Sequence, residues 1–195
     1  MYKNSSSTKI IVQTGAVTIT PYIDKFQGPN MYYCHLGNVL LIPKPGRLAD
    51  TRKLSKDLYT KIEILEYYDL APGEFILAET FEVFSTGKSH AIRLFNSSSL
   101  ARLGVSQCAL GMINPGCGTK SPLKLTLELF NNGPYTVRIY PTVVSKGEVI
   151  SWGTEVLKVA VCDYETVTQA YDEWGGSLYG SDVSVSGSKI DRRFK

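Results

Sequence analysis

Long apolar stretches are absent from this chain of 195 residues, and their absence excludes the membrane-spanning classes. No run approaches the roughly 20 apolar residues that a membrane-spanning helix needs. The first seven residues, MYKNSSS, also lack the apolar stretch of a secretory signal. We therefore expect no membrane partner and a cytoplasmic location.

Cysteine is scarce, and its four copies are widely spaced at Cys34, Cys108, Cys117 and Cys162. No two of them have the Cys-x-x-Cys spacing of a zinc site, and they do not form the dense framework of a disulfide-stapled protein. Because unpaired cysteine is among the most buried residue types, we predict buried free thiols and no metal site.

A strong charge of one sign is also missing. Lys and Arg exceed Asp and Glu by only three, and they are scattered along the chain. A nucleic-acid-binding protein usually shows a basic stripe on one face, so we expect no nucleic-acid partner. A small ligand that carries a polyphosphate fits this charge balance better.

Short segments typical of β-strands make up most of the chain. With 43% hydrophobic residues the chain can bury one substantial core, which favours a single main domain. Segments rich in Val, Ile, Thr, Tyr and Phe alternate with turn residues. The predicted strands cover residues 9–13, 16–20, 38–42, 75–84, 91–95, 124–130, 135–140 and 149–161. The pattern indicates a mostly β sandwich or barrel.

Three connecting segments carry signals of their own. Residues 51–68 are polar with Leu and Ile at loosely helical spacing, which predicts a helix. The sequence Asn131-Asn132-Gly133-Pro134 predicts a hairpin loop, because Asn and Gly tolerate positive φ. From residue 175 onward Gly and Ser are frequent and large apolar residues are few. We predict a β domain over residues 1–174 and a flexible tail over residues 175–195.

A short helix is predicted at Ser98-Ser99-Leu100-Ala101-Arg102-Leu103-Gly104. Serine is a favoured N-cap, residues 100–103 are good helix formers, and Gly104 ends the helix. Ser98 and Arg102 can lie on one face, near free amide groups that attract anions. The structural alternative is that Ser97 or Ser98 only caps the helix and that Arg102 pairs with a surface carboxylate.

The second chemical feature is Glu128. In Lys124-Leu125-Thr126-Leu127-Glu128-Leu129 the leucines alternate with polar residues, so a strand places Glu128 on the face opposite the leucines. A lone strand glutamate is usually solvated. If its face lies in a cleft between subunits, partial burial raises its pKa toward the range useful for general acid and base catalysis.

Together these segments resemble the dCTP deaminase family, whose members are relatives of the trimeric dUTPases. In that family a Ser-Ser-Leu-Ala-Arg-Leu-Gly segment precedes a Gly-x-Ile-Asp-Pro-Gly turn and a Thr-Leu-Glu-Leu strand. The corresponding residues here are 98–104, 111–116 and 126–129. The resemblance implies a dUTPase-like distorted β-barrel, similar to a jelly-roll sandwich, with one or two short helices. It also implies a homotrimer with sites between subunits.

The resemblance further implies an activity, the zinc-independent hydrolytic deamination of dCTP or a related deoxycytidine nucleotide to dUTP and ammonia. Glu128 would move the proton, while Arg102 and Ser98 would orient the water and the nucleotide. Magnesium would enter only with the triphosphate. The zinc deaminase signature of His-x-Glu with Pro-Cys-x-x-Cys is absent. The tail would close over the nucleotide as a lid. The expected nucleotide contacts are Ser97, Ser99, Gln107, Ala109, Asn114, Tyr179 and Lys189.

Four positions depart from the family pattern. Ser97 replaces an arginine that grips phosphate, and Lys120 is a candidate substitute for that charge. Gln107 and Ala109 replace a histidine and a threonine. Asn114 replaces an aspartate that activates water in dUTPases, and an amide cannot act as that base.

These departures leave two other functions open. One is a catalytically silent nucleotide-binding or regulatory protein of the same fold. The other is a diphosphatase for dUTP or dCTP with a different water-activating residue. Retention of Glu128 favours the deaminase, because a protein that only binds nucleotide has less need of a carboxylate there.

Overall fold

A curled antiparallel sheet with short helices at its edges forms the body of the molecule in a computed structural model, which describes residues 1–180 and 182–194. The helices are α1 (Ser5–Gln13) and α2 (Ser98–Ala101), with 3₁₀ turns at Asp24–Phe26, Tyr171–Glu173 and Ile190–Phe194. The strands are β1 Val17–Thr20, β2 Tyr32–Pro43, β3 Tyr59–Glu63, β4 Tyr68–Leu70, β5 Phe75–Thr86, β6 His90–Asn96, β7 Val105–Gln107, β8 Met112–Ile113, β9 Leu123–Asn131, β10 Val137–Ile139, β11 Val143–Ser145, β12 Glu148–Ser151 and β13 Glu155–Asp163. The prediction of a mostly β fold is confirmed.

The main sheet runs in the order β7-β9-β5-β2-β13-β6-β8. β1 pairs with β5 and β3 pairs with β2, beside this path. Two small ribbons, β4 with β10 and β11 with β12, complete the strand pairing. All of these pairs are antiparallel, so each strand can bury one face and leave the other for a site.

The core is built from the alternating faces of the long strands. Along β9 buried and half-exposed residues alternate without interruption. Leu127 and Leu129 lie in the core together with Ile76 and Phe84 of β5. Burial of each such side chain stabilises the fold by about 1.5–3 kcal/mol. The alternation therefore fixes which face of β9 carries polar groups.

The predicted strand at residues 9–13 is wrong, because this segment is the second half of α1. The Asn4 side chain accepts a hydrogen bond from the Ser7 backbone N–H at 2.9 Å and caps the helix. The cap and the serines that follow it start a helix that carries through the β-branched Ile10, Ile11 and Val12.

The predicted helix at residues 51–68 is also wrong. Residues 51–58 form turns and loop, and the segment then enters β3 and β4. Tyr59, Thr60 and Ile62 favour the extended backbone, and β3 completes hydrogen bonding along β2, with Lys61 opposite Leu41. Pairing with an available strand edge overrides the weak helical spacing.

The segment Asn131-Asn132-Gly133-Pro134 is not a hairpin loop, because β9 pairs with β5 and β7 while β10 pairs with β4. The loop packs against the end of α2. Gly104 there has φ +92°, and a Cβ added to it would lie 2.3 Å from the Gly133 Cα. Two glycines are required because the two backbones touch.

The structure also bears on the predicted strand at residues 149–161 and on the cysteines. The predicted run 149–161 is divided at residues 152–154 into β12 and β13. All four cysteines are free thiols, and Cys34, Cys117 and Cys162 are buried as expected, but Cys108 is exposed. Within the described part of the chain, no helix is long and apolar enough to cross a membrane.

Candidate active site

Glu128 lies in the middle of β9, on the face away from the core. The neighbouring Leu127 and Leu129 are buried on the opposite face, as the alternation predicts. Leu77 of β5 stands opposite Glu128 on one side. On the other side the Cys108 backbone N–H donates to the Glu128 carbonyl at 2.8 Å. Hydrogen bonding from both sides fixes the backbone that carries this carboxyl group.

The carboxyl group of Glu128 is half-buried, and this burial raises its pKa above the ordinary value. Two backbone N–H groups, those of Ala109 and of Glu128 itself, donate to the carboxylate and oppose part of the rise. A carboxyl group with a raised pKa accepts and returns a proton more readily near neutral pH. The environment therefore suits general acid and base chemistry.

Gln107 holds the segment that lies beside Glu128. Its backbone N–H donates to Asn96 Oδ1 at 2.9 Å, and its Nε2 donates to the Ala109 carbonyl at 2.8 Å. Gln107 is only 6% exposed, and its Oε1 has no hydrogen-bond partner among the described residues. A buried acceptor without a partner is costly. Gln107 stands opposite Leu129 of the core and is not among the residues that line the cavity at Glu128.

A cavity of about 430 Å³ opens in front of Glu128. Its apolar wall is formed mainly by Tyr59, Phe75, Leu77 and Tyr179. Its polar wall includes Lys124, Thr126, Glu128, Asp182, Ser186 and Ser188. This volume is in the range of small-molecule sites, and the mixture of aromatic and polar walls suits a flat heteroaromatic ring with polar edges.

The C-terminal segment forms the outer side of this cavity. The Lys124 backbone N–H donates to the Asp182 carbonyl at 3.1 Å. The Ser186 backbone N–H donates to Thr126 Oγ1 at 3.2 Å. Val185 is buried against Leu41 and Leu77. Residues 182–186 thus cover the polar face of β9 on the same chain, whereas the flexibility of the tail stays a prediction.

A buried ion pair anchors this segment. Glu79 of β5 is 1% exposed and binds the Lys124 ammonium group. Its second oxygen accepts from Ser184 Oγ at 2.7 Å and from the Val185 backbone N–H at 3.0 Å. A buried carboxylate needs this full set of donors to remain charged. Glu79 therefore joins the floor of the cavity to its cover.

Tyr179 and Lys189, both predicted nucleotide contacts, pack on each other. Tyr179 lines the cavity, and its hydroxyl accepts from the Lys189 backbone N–H at 2.9 Å. The Lys189 Nζ lies 5.0 Å from the centre of the Tyr179 ring, donates to the Leu178 carbonyl at 3.0 Å and pairs with Asp182. Tyr179 therefore reaches the cavity while Lys189 lies at its outer rim.

Ser97 is 2% exposed and serves the helix that follows it. Its Oγ accepts from the Leu100 backbone N–H at 3.5 Å and donates to Glu155 Oε1 at 2.9 Å. The cap predicted by the structural alternative is therefore present. No cation stands at this position to bind a phosphate group.

Ser98, Ser99 and Arg102 are exposed and lie outside the Glu128 cavity of the same chain. Arg102 forms no ion pair with any described residue, so the predicted surface salt bridge is not seen. α2 leads into β7, where Val105 pairs with Asn131. Asn131 is three residues from Glu128, or about 10 Å along the strand. Within one chain, Arg102 is therefore not among the residues that line the Glu128 cavity.

Asn114 and Lys120 also lie away from Glu128. The Asn114 carbonyl accepts from Thr86 Oγ1 at 2.6 Å, and Asn114 borders a separate cavity of about 330 Å³ beside Trp174. Lys120 borders another cavity, with Lys189 on its rim. Lys120 as a substitute phosphate contact is therefore not placed near the Glu128 carboxyl group.

Sequence reasoning missed Glu79, Lys124, Asp182 and Tyr59. One signal was present for the first of these, because Glu79 and Glu82 interrupt a strand that is otherwise apolar or hydroxyl-bearing. A charge in a buried strand needs a partner. The identity of that partner is set by pairing across 45 residues, which no local pattern contains.

No group of three or more His, Cys, Asp or Glu side chains in the described ranges is arranged to hold a metal ion. Cys108, the exposed thiol, lies near Glu128, and partial burial together with that negative charge raises the pKa of the thiol. The donors gathered at the cavity are oxygens and nitrogens that suit hydrogen bonding to a polar ligand.

A protein-family model described as dCTP deaminase-like matches residues 4–144. A protein of Salinispora tropica named dCTP deaminase, dUMP-forming, is 32% identical over 135 residues, which cover 68% of this chain and 62% of that protein. A protein of the same name from Nanoarchaeum equitans is 25% identical over an alignment 213 residues long, which covers both chains completely. The chain thus spans less than two thirds of the first relative and all of the second.

Among solved structures, the 2′-deoxycytidine 5′-triphosphate deaminase of Agrobacterium tumefaciens shares this fold. Its TM-score is 0.56 at 12% identity, over 82% of this chain and 47% of that one. At this identity the likeness concerns the fold alone. The family resemblance predicted from residues 98–129 is confirmed.

Proposed function

The chain belongs to the dCTP deaminase-like family, and we propose that it removes the amino group from the cytosine ring of dCTP by hydrolysis. The observation that carries this proposal is the half-buried Glu128, with its raised pKa, in a cavity of about 430 Å³. The relatives described above are named as dCTP deaminases. We place the reaction in the cytoplasm, where deoxynucleotide substrates circulate.

Glu128 supplies both proton transfers in the proposed mechanism. A water molecule attacks C4 of the cytosine ring, and its proton passes to the Glu128 carboxylate and then to N3. The tetrahedral centre collapses as the remaining hydroxyl proton moves through Glu128 to the amino group. The C4–N bond breaks, ammonia leaves and C4 becomes a carbonyl. Magnesium enters with the triphosphate as part of the substrate.

Ser98 and Arg102 enter this mechanism from a neighbouring subunit. Both are exposed, and neither is among the residues that line the Glu128 cavity of their own chain. We propose a homotrimer in which Arg102 and Ser98 of one protomer face Glu128 of another. The guanidinium and hydroxyl would orient the water and offset developing charge.

The proposed product is dUTP. Hydrolysis of the phosphate chain needs a base to activate water, and the Asn114 amide outside the cavity cannot provide one. The relatives carry the name dUMP-forming, so dUMP is the alternative product. Release of pyrophosphate together with ammonia would establish that alternative.

The segment after residue 175 completes the proposal as a lid. Its residues 182–186 pack over the polar face of β9, and Tyr179 forms part of the wall, so movement of this segment would change access to Glu128. Deletion of the residues after Gly176 is expected to raise KM or abolish turnover. Unchanged kinetics in the truncated protein would remove the lid from the proposal.

Incubation of the purified protein with each deoxynucleoside triphosphate and magnesium tests the proposed function. Separation of the bases and phosphates by chromatography is expected to show conversion of dCTP to dUTP with one ammonia per turnover. Saturable binding without turnover would establish the silent nucleotide-binding protein. Pyrophosphate release without ammonia would establish a diphosphatase.

Mixed assemblies test the intersubunit arrangement directly. Glu128→Gln and Arg102→Ala proteins are each expected to be inactive. When the two are unfolded together and refolded as a mixture, sites that combine an intact Glu128 with an intact Arg102 should regain activity. Recovery requires the two residues to come from different chains. A mixture as inactive as its components would place the site within one chain.

A further inference from the structure

A basic groove of about 870 Å³ adjoins the Glu128 cavity. It is formed by the loop between β2 and β3, by the start of β3 and by the tail. Its cationic lining residues are Arg52, Lys53, Lys56, Lys61, Lys189 and Arg192. Asp191 is the acidic residue among the described lining residues. The groove thus concentrates a positive surplus that exceeds the surplus of three carried by the whole chain.

Most of these cations lack an acidic partner. Within the described residues, no ion pair is formed by Lys53, Lys56, Lys61 or Arg192. Lys189 pairs with Asp182, and Arg52 also has an interaction partner. Like charges that share a groove without neutralisation repel one another and raise the local concentration of anions. The arrangement is costly unless an anion binds.

The nearest acid of the loop does not relieve this charge. Asp57 is bound by Lys44 and Arg47, which lie on the same loop but outside the groove lining. The side-chain hydrogen bond from Lys44 lowers the pKa of Asp57. The Asp57 carboxylate is therefore occupied by cations outside the groove lining and forms no ion pair with the groove lysines.

The groove and the Glu128 cavity are neighbours that share a wall. Tyr59 and residues 186–188 line both of them. At Gly187 a Cβ would lie 3.0 Å from the Tyr59 ring, so the backbone rests directly on the aromatic face. A ligand with one end at Glu128 can therefore reach the lysines when residues 186–188 move away from Tyr59.

A need for such charge arises at α2. Ser97 is neutral, buried and engaged with Glu155, so the start of that helix supplies no side-chain cation for a phosphate group. A triphosphate carries several negative charges that must be balanced in its site. Groove lysines next to the cavity can provide this balance from the same chain that provides Glu128.

We propose that the groove binds the phosphate chain of the nucleotide whose base lies against Glu128, with Lys53, Lys56 and Lys61 as its contacts. The inference rests on the proposed function for the identity of the base, but not for the binding of polyphosphate. A nucleic-acid strand fits less well, because such grooves present successive aromatic platforms, and Tyr59 is the aromatic side chain among the described residues of this lining.

Calorimetric titration with inorganic tripolyphosphate tests the site independently of turnover. In the variant Lys53→Gln/Lys56→Gln/Lys61→Gln, tripolyphosphate should bind at least about tenfold more weakly than to the unaltered protein. Each of the three lost contacts contributes part of this factor. The KM for dCTP should rise by a similar factor while kcat is unchanged, because ground-state and transition-state binding are lost together. Binding of deoxycytidine, which has no phosphate, should stay the same.

The matched control is Lys9→Gln/Lys88→Gln/Lys146→Gln, which removes the same charge from positions outside the groove. Its tripolyphosphate affinity is expected to stay within about twofold. Equal weakening in both variants, or none in the groove variant, would overturn the proposal. Tighter binding of single-stranded DNA than of tripolyphosphate would also overturn it. If the unaltered protein does not deaminate dCTP, but the groove variant loses tripolyphosphate binding and the control does not, the groove site stands and the proposed function is refuted.

Discussion

Two regions are proposed to carry the chemistry of this protein, and they differ in how completely one chain builds them. The Glu128 cavity is assembled within the chain, from β5, β9, the segment after β7 and the tail. Helix α2 presents Ser98, Ser99 and Arg102 to solvent, without a described ion-pair partner for Arg102. The first region is a formed pocket, whereas the second is a set of exposed side chains that lie outside the Glu128 cavity of the same chain.

In the proposed homotrimer, this difference divides the work between folding and assembly. Glu128 needs burial to shift its pKa, and burial comes from the hydrophobic sheet and the docked tail. Arg102 needs only to remain accessible and charged, which a short capped helix at the sheet edge provides. Changes in the cavity should therefore affect stability and pH dependence, while changes on α2 should affect catalysis alone.

The largest effect is expected from Glu128→Gln. The amide keeps the shape of the side chain but cannot accept a proton, so kcat should fall by about 10²–10⁴-fold. Ammonia release from dCTP measures this loss. Glu148→Gln, at an exposed glutamate of β12, is the control and should retain full activity. Turnover preserved in the Glu128 variant would remove the cavity from the mechanism.

Arg102→Ala should reduce kcat by about 10²–10³-fold, the loss typical of one electrostatic contact to a developing charge. Because Arg102 is exposed, the free energy of unfolding should change by less than about 0.5 kcal/mol. Kinetics and chemical denaturation of the same samples measure both quantities. A large loss of stability would make Arg102 structural and erase the contrast with the cavity. Lys146→Ala, at an exposed hairpin turn, serves as the neutral control.

The sequence allowed prediction of those parts of both regions that depend on near neighbours. Strand alternation places Glu128 opposite Leu127 and Leu129, and the serine cap with Gly104 predicts α2. Both patterns act over a few residues. The wrong helix at residues 51–68 shows the limit, since the edge of β2 decides the structure of that segment.

The contacts that hold the cavity cover in place were beyond sequence reasoning for a physical reason. Glu79 bonds to Lys124 across 45 residues and to Ser184 across 105. These contacts follow from how the sheet curls and where the tail returns, so they are properties of the whole fold. The basic groove was missed for the same reason: its lysines look scattered along the chain but meet the tail in space.

Lys124→Met should destabilise the fold by about 2 kcal/mol, because Glu79 would be left buried without its cation. This is below the cost for a fully buried pair, since the Lys124 side chain keeps 22% exposure. Urea denaturation measures the change. Adding Glu79→Gln should recover much of the loss, because the amide oxygen still accepts from Ser184.

The control for this pair is Lys44→Met, which breaks an exposed ion pair with Asp57 and should cost less than about 1 kcal/mol. Equal losses for Lys44→Met and Lys124→Met would mean that the Glu79 pair adds nothing through burial. The buried ion pair would then stabilise the fold no more than an ion pair on the solvent-exposed surface does.

Gln107→Leu should lower kcat by about fivefold to tenfold, corresponding to about 1 kcal/mol for the lost hydrogen bond to the Ala109 carbonyl. Ala109 donates to the Glu128 carboxylate, so a looser segment disturbs the proton-transfer group. Thr8→Val removes the other buried oxygen that lacks a partner among described residues, far from the cavity, and should leave kcat unchanged. Equal kinetics for both variants would limit Gln107 to a packing role.

The smallest effect is a pH dependence confined to the cavity. Burial raises the pKa of Glu128 above its ordinary value near 4.5, so the folded protein holds this proton at pH values where the unfolded chain has lost it. The unaltered protein should therefore lose stability relative to Glu128→Gln as pH rises from 4.5 through the raised pKa. Denaturation curves across that window measure the difference, and parallel curves would contradict a buried, protonatable Glu128. The acid limb of kcat/KM should lie above pH 4.5 for the same reason. Arg102→Ala should follow the unaltered protein throughout, because an arginine side chain does not titrate in this range.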